Sequence, residues 1–231
     1  MVTRKVDGVH VDPTAKPHVP GKSTNPFTAL YQKAVASGQV GKKTEEAINW
    51  FKNAARSYKN PIALNSIQQS LGNSSRRTVM TIGKMYAFLY DAKTKDDLKY
   101  WDSVPLIFPF AEDATHFWGI NLHYVSPKYR GFIMNQLYKL ISDNNMNERT
   151  KLRITYNRLN RMATFRFFAP AIKCYLKSHF RSQFIHIPVD HWHTAMFLPV
   201  AKWNKASAAV VYNDYNQLIK KARTPRTTRT R

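Results

Sequence analysis

Between positions 149 and 183 the chain carries Arg149, Lys151, Arg153, Arg158, Arg161, Arg166, Lys173, Lys177 and Arg181 and not one Asp or Glu. Guanidinium and ammonium groups concentrated in this way suit multi-point contact with phosphate oxygens. Lys173, Lys177 and Arg181 are four apart, which predicts one face of a helix over 170–182, with Ile172, Leu176, His179 and Phe180 turned largely to the other side. Like charges at that spacing repel by about 0.2–0.5 kcal/mol a pair, so an anionic partner would relieve the ridge. Ser74-Ser75-Arg76-Arg77 and the terminal Arg223, Arg226, Arg229 and Arg231 add hydroxyls and guanidinium groups of the same use. The candidate phosphate-binding residues are therefore Arg76, Arg77, Arg149, Arg153, Arg161, Arg166, Lys173, Lys177, Arg181, Arg223, Arg226 and Arg229. The plain alternative is a solvated basic surface, which any chain of such charge will have.

Other chemistries are poorly supported. Phe165, Phe167 and Phe168 beside Arg166 offer either a stacking surface for an unpaired base or ordinary core, and the same choice holds for Trp50, Trp101, Trp118, Trp192 and Trp203. His186, Asp190, His191 and His193 are the best metal candidate, since alternation along a strand would let His191 and His193 converge. They lack a fourth ligand at fixed spacing and serve equally for hydrogen bonding or phosphate contact. His10, His18, His116 and His123 form no constellation. The string ASGQVGKKT over 36–44 fails as a phosphate loop: Ala36 replaces the first glycine, Lys43 stands where Ser or Thr should hold magnesium, and the preceding residues look helical. Asp91, Asp96, Asp97, Asp102, Glu112 and Asp113 are read as turn carboxylates, without a nuclease triplet. Cys174, placed in the 170–182 helix, has no partner base. The expectation is a protein without catalytic, cofactor or metal residues, and not an enzyme.

The elements that must carry these residues follow from composition and pattern. A chain of 231 residues and 26.8 kDa with 43% hydrophobic and 13% aromatic content can build a real core, so its formal net charge of +22 describes a folded basic protein with polyanionic partners. One cysteine excludes a disulfide framework and fits a reducing compartment. The first 22 residues have prolines and scattered charge but no apolar run, arguing against a signal or anchor, and the apolar run at 104–111 is far shorter than the roughly 20 residues of a membrane span. Asn25-Pro26, Asn60-Pro61 and Ser126-Pro127 each predict a helix start, and Thr44-Glu45-Glu46 a fourth. Strands are expected over 78–90, over 106–110 at an edge or bulge because of Pro105 and Pro109, over 117–124, and over 195–200. Helices are expected over 127–142, with Phe132, Ile133, Leu137, Leu140 and Ile141 as the buried stripe, over 149–161, and from Asn204 or Ser207 to about 221. The expected organisation is an extended arm at 1–24, a helical segment at 25–77, an α+β core domain at 78–222 and a basic tail at 223–231. The core is a small, curved, SH3-like sheet packed by several helices and flanked by flexible basic arms.

The strings YDAKTKDDLKYWDSVPLIFPF at 90–110 and GINLHYVSPKYR at 119–130, with the segments 156–160, 169–175 and TAMFLP at 194–199, carry a resemblance that runs over about 84–208. On these the chain resembles the DNA end protector proteins of large contractile-tailed, T-even-like bacteriophages, a head-completion component. The resemblance implies a virion protein, present in the host cytoplasm during assembly and after injection, that binds the ends of packaged linear double-stranded DNA and shields them from host exonuclease. It also implies portal, neck or other virion proteins as partners, and it transfers no catalytic residue. The phosphate contacts rest on this chain alone, and they would act without reading sequence, selecting ends through a concave basic surface or through delivery at the portal during packaging. Two rivals stay open: a neck or tail-tip protein touching DNA incidentally, and a metal-dependent nuclease.

Overall fold

The structure, a computed structural model, describes residues 25–141 and 168–223. Local capping chemistry sets most helix starts. In α1 (Pro26–Ala36) the Asn25 side chain accepts from the Phe27 N–H at 3.0 Å, with Pro26 in the first turn. Thr44 Oγ1 accepts from the Ala47 N–H at 3.3 Å to open α2 (Glu45–Ala54), whose first-turn Glu45 and Glu46 face the positive end of the helix dipole. The third helix, α3 (Leu64–Leu71), begins later than Asn60-Pro61 suggests, because the preceding chain is held extended: Ile62 N–H donates to the Pro199 carbonyl at 2.8 Å. Pro127 opens α4 (Pro127–Ile141), which buries Arg130, Ile133 and Met134 but leaves Phe132 47% exposed, a correction to the expected stripe.

Six strands form one sheet: β1 (Arg76–Arg77), β2 (Met85–Ala87), β4 (Leu106–Glu112), β5 (His116–Asn121), β6 (Ile172–Leu176) and β7 (Phe184–Ile187). Their order is β1-β7-β2-β4-β5-β6 and every pairing is antiparallel. A second, two-stranded sheet joins β3 (Trp101–Asp102) to β8 (Trp203–Asn204). Helices and sheets together make the chain an α+β protein, as expected. β4 is interior and not at an edge, but β2 pairs only with Leu106 and Ile107, and Pro109 sits where the register with β5 shifts.

Alternation along the strands buries both sheet faces. Met85, Ala87, Leu106, Phe108, Ile185 and Ile187 join the helices in the larger core. Tyr86, Phe88, Ile107, Phe117, Tyr175 and Phe184 point the other way into a smaller, aromatic core, where the Phe88 ring meets Phe180, Tyr175 and Phe184 edge to face at 5.0–5.5 Å.

Two expected elements change type. Residues 170–182 are not a helix: after the 3-10 turn Ala169–Ala171 they form β6, then a second such turn, Lys177–His179. β6 pairs residue for residue with β5, from His116↔Leu176 to Ile120↔Ile172, and completing that sheet edge outweighs a helical spacing of charges. Cys174 thus lies exposed on a strand. Residues 195–200, expected as a strand, begin inside α5 (Trp192–Phe197). That helix is buried from Trp192 to Met196, so it shows no polar face by which periodicity could identify it. The last helix, α6 (Ala208–Arg223), starts after Ser207, whose Oγ accepts from the Val210 N–H at 3.4 Å. Among the described residues no helix is long and apolar enough to cross a membrane.

Candidate nucleic-acid interface

Among the described residues the basic candidates do not form one ridge. Arg76 and Arg77 lie exposed on β1, at one edge of the large sheet, and Lys173 lies on β6 at the other. Five strand spacings put those edges about 24 Å apart. At the β1 edge Arg77 donates to the carbonyls of Ser74 and Arg76, and neither arginine meets a carboxylate among the described residues. Positive charge is dense enough there to reach a neighbour: burial, then the charges of Lys84 and Arg77, push the His186 imidazole down to about 4.

At the β6 edge the acid-free sequence block acquires acids from elsewhere in the fold. Lys177 Nζ reaches Glu112 Oε2 at 3.1 Å and donates to the Asp113 carbonyl at 2.6 Å, while Arg181 Nη2 lies 3.5 Å from Asp91 Oδ2. These exposed pairs contribute little to stability, but they compensate both cations. Lys173 differs. It is half-buried, its Nζ sits 3.9 Å from the centre of the Tyr124 ring, and burial pushes its ammonium down to about 8. Arg149, Arg153, Arg161, Arg166, Arg226 and Arg229 lie outside the described residues, and Arg223 ends α6.

Lys173 lines a cavity of about 510 Å³ between β6 and the turn that follows Tyr90. Its walls are aromatic, from Tyr100, Trp101 and Tyr124, and Lys93 and Lys99 add two further ammonium groups. The floor depends on Asp102, which is buried and not a solvated turn residue as expected. Its Oδ1 accepts from the Val104 N–H at 2.9 Å and the Lys202 N–H at 3.0 Å; its Oδ2 accepts from His123 Nδ1 at 2.6 Å and Asn121 Nδ2 at 3.3 Å. Asn121 also donates to the Tyr175 hydroxyl at 3.0 Å. Arg130, likewise buried, donates to the carbonyls of Val125, His123 and Met196 and to the Tyr212 hydroxyl. Asp102 stood out only as one of six clustered carboxylates, and Arg130 did not stand out by type or spacing. The one available signal for the cavity was the run Lys99-Tyr100-Trp101, which sets a cation beside two rings.

The other candidates resolve separately. Among the described residues no group of three His, Cys, Asp or Glu side chains could hold a metal ion. His191 stacks on Tyr31 at 3.9 Å and His193 on Phe51 at 4.8 Å, and Asp190 is exposed beside them. Trp192 is core, its Nε1 donating to the Ile187 carbonyl at 3.0 Å, and Phe168 is buried as well.

Burial pushes His193 down to about 4 from an ordinary 6.5. The unfolded chain therefore binds a proton that the native state refuses, so this contribution to stability is complete above pH 6.5 and lost as pH falls towards 4. The His193→Phe variant is expected to remove on the order of 2–3 kcal/mol of that acid sensitivity, read as a flatter denaturation midpoint between pH 7 and 4. An unchanged pH profile would place the sensitivity elsewhere.

Comparison with known proteins gives one family. The family described as Phage T4 terminal DNA protecting protein matches residues 52–215, more than half of the chain. No curated protein and no solved structure matches.

Proposed function

Because the chain belongs to the phage T4 terminal DNA protecting protein family, we propose that it binds the ends of packaged linear double-stranded DNA and shields them sterically from host exonuclease. The family match carries this reading. The net charge of +22 supports it, since a folded body with that excess concentrates at a polyanion. The proposed grip is on phosphate and blind to base sequence. Arg76 and Arg77 contribute from the β1 edge, with Arg149, Arg153, Arg161 and Arg166 from the acid-free block and Arg223, Arg226 and Arg229 from the C-terminal end. Lys177 and Arg181 must exchange Glu112 and Asp91 for phosphate, so each adds less than an uncompensated cation. Lys173 belongs to the cavity. No bond is made or broken in this mechanism: the bound body occupies the terminus that a processive nuclease has to enter.

Assignment to the virion, contact with portal or neck subunits and a part in head completion belong to the same proposal. Binding of blunt linear and closed circular duplex across a salt series tests it. Preference for the linear form together with a steep salt dependence is the supporting result, and equal affinity for both forms would argue against intrinsic recognition of ends.

A further inference from the structure

Backbone contacts hold any stretch of duplex equally well, so a preference for termini needs a feature that only a terminus can satisfy. The cavity beside β6 has that property. It is concave and of a size ordinary for small-ligand sites, and it opens to solvent along exposed Lys93, Thr94 and Cys174. A continuous duplex cannot enter such a pocket; a single terminal nucleotide can.

We propose that this cavity is a binding site for the phosphorylated terminal nucleotide of a DNA strand, with Lys173, held over the Tyr124 ring, and Lys93 meeting the phosphate and Tyr100 and Trp101 offering ring surface to the base. The inference rests on the DNA-end reading and deepens it. The charges inside the cavity support an anionic ligand. Lys99 is engaged by Asp214 at 2.6 Å, and the Asp102 carboxylate is spent on His123, Asn121 and two backbone N–H groups. Lys173 and Lys93 have no carboxylate partner among the described residues. The Tyr124 ring offsets only part of the desolvation of the half-buried Lys173 ammonium, and an arriving phosphate would supply the missing counter-charge. Base stacking on aromatic side chains tolerates any base, as a site that meets arbitrary termini requires.

The single cysteine of the chain, Cys174, lines the cavity and is exposed, so its alkylation rate reports on occupancy. The full chain is treated with iodoacetamide alone, with blunt linear duplex bearing 5′-phosphates, with the same duplex bearing 5′-hydroxyls, with closed circular duplex, and with a deoxynucleoside 5′-monophosphate. Linear phosphorylated duplex is expected to slow alkylation at least fivefold and the mononucleotide to slow it at millimolar concentration, while circular duplex leaves the rate unchanged. Lys173→Met removes the ammonium over Tyr124 but retains an unbranched side chain, and Lys93→Met lies on the open rim; each is expected to remove most of the protection. Linear duplex that binds by gel shift yet leaves the alkylation rate of the free protein, with the mononucleotide equally without effect, overturns the site while the DNA-end reading stands. Failure of any duplex to bind, with protection by the mononucleotide intact, instead removes the DNA-end reading and retains a nucleotide site.

Discussion

Replacing Asp102 by alanine is expected to lower the unfolding free energy by about 3–5 kcal/mol, since several donors held in or near the interior lose their acceptor at once and each such loss costs roughly 1–3 kcal/mol. The carboxylate is 1% exposed and receives four donors, from Val104, Lys202, His123 and Asn121. Alanine leaves the Val104, His123 and Asn121 donors buried without this acceptor and frees the half-buried Lys202 N–H. The loss is spread over the fold, because Lys202 comes from the segment leading into β8, His123 from the turn after β5, and Asn121 holds the Tyr175 hydroxyl of β6. For a chain of this length the melting temperature should fall by roughly 6–20 °C. Asp91→Ala is the matched control: its carboxylate is exposed and paired with Lys95 and Arg181, so its removal should leave the melting temperature nearly unchanged. Melting temperatures of the two variants that fall by the same amount would contradict the assignment of Asp102 as the anchor of this region.

The second large effect is on DNA affinity. Each phosphate neutralised by Lys or Arg releases condensed counterions, and six to ten contacts give a slope of roughly −5 to −9 in log affinity against log salt. Affinity for linear duplex should therefore fall by about 10³–10⁵ between 50 and 200 mM salt. Replacing Arg149, Arg153, Arg161 and Arg166 together by alanine should reduce the slope by about 3–4, since each contact contributes nearly one. Arg76 and Arg77 replaced as a pair should reduce it by nearly 2. A slope near zero, or one that none of these replacements moves, would remove phosphate contact from the account.

The features legible in the sequence were those whose causes are local. Asn25-Pro26, Thr44, Ser126-Pro127 and Ser207 mark helix starts because a cap needs only its own next three residues. The α+β class and strands β4 and β5 followed from apolar runs bounded by turns. What failed depended on partners distant in the chain. Lys173, Lys177 and Arg181 are spaced like a helix face, but the free edge of β5 recruits Ile172–Leu176 as a strand. The block free of acids along the sequence is not free of them in space, because β4 ends in Glu112 beside Lys177 and the turn at Asp91 meets Arg181. The contact between Asp102 and His123 was invisible for the same reason. The two residues are separated by 21 positions, and nothing in either neighbourhood says that both are buried and in contact. Of the candidate site, the Arg76-Arg77 edge was legible as exposed charge, whereas the cavity beside β6 left only the Lys99-Tyr100-Trp101 run as a sequence signal, and its other walls came from the fold.

Steric protection of a terminus is tested most directly by digestion of bound duplex. Linear duplex is incubated with stoichiometric protein at low salt, a processive exonuclease is added, and nucleotide release is followed over time. The account predicts that release is strongly delayed, that the delay disappears as salt is raised through the range where binding is lost, and that the protein itself releases no nucleotide with Mg²⁺ or Mn²⁺ present. Unchanged digestion of duplex that is demonstrably bound would contradict it.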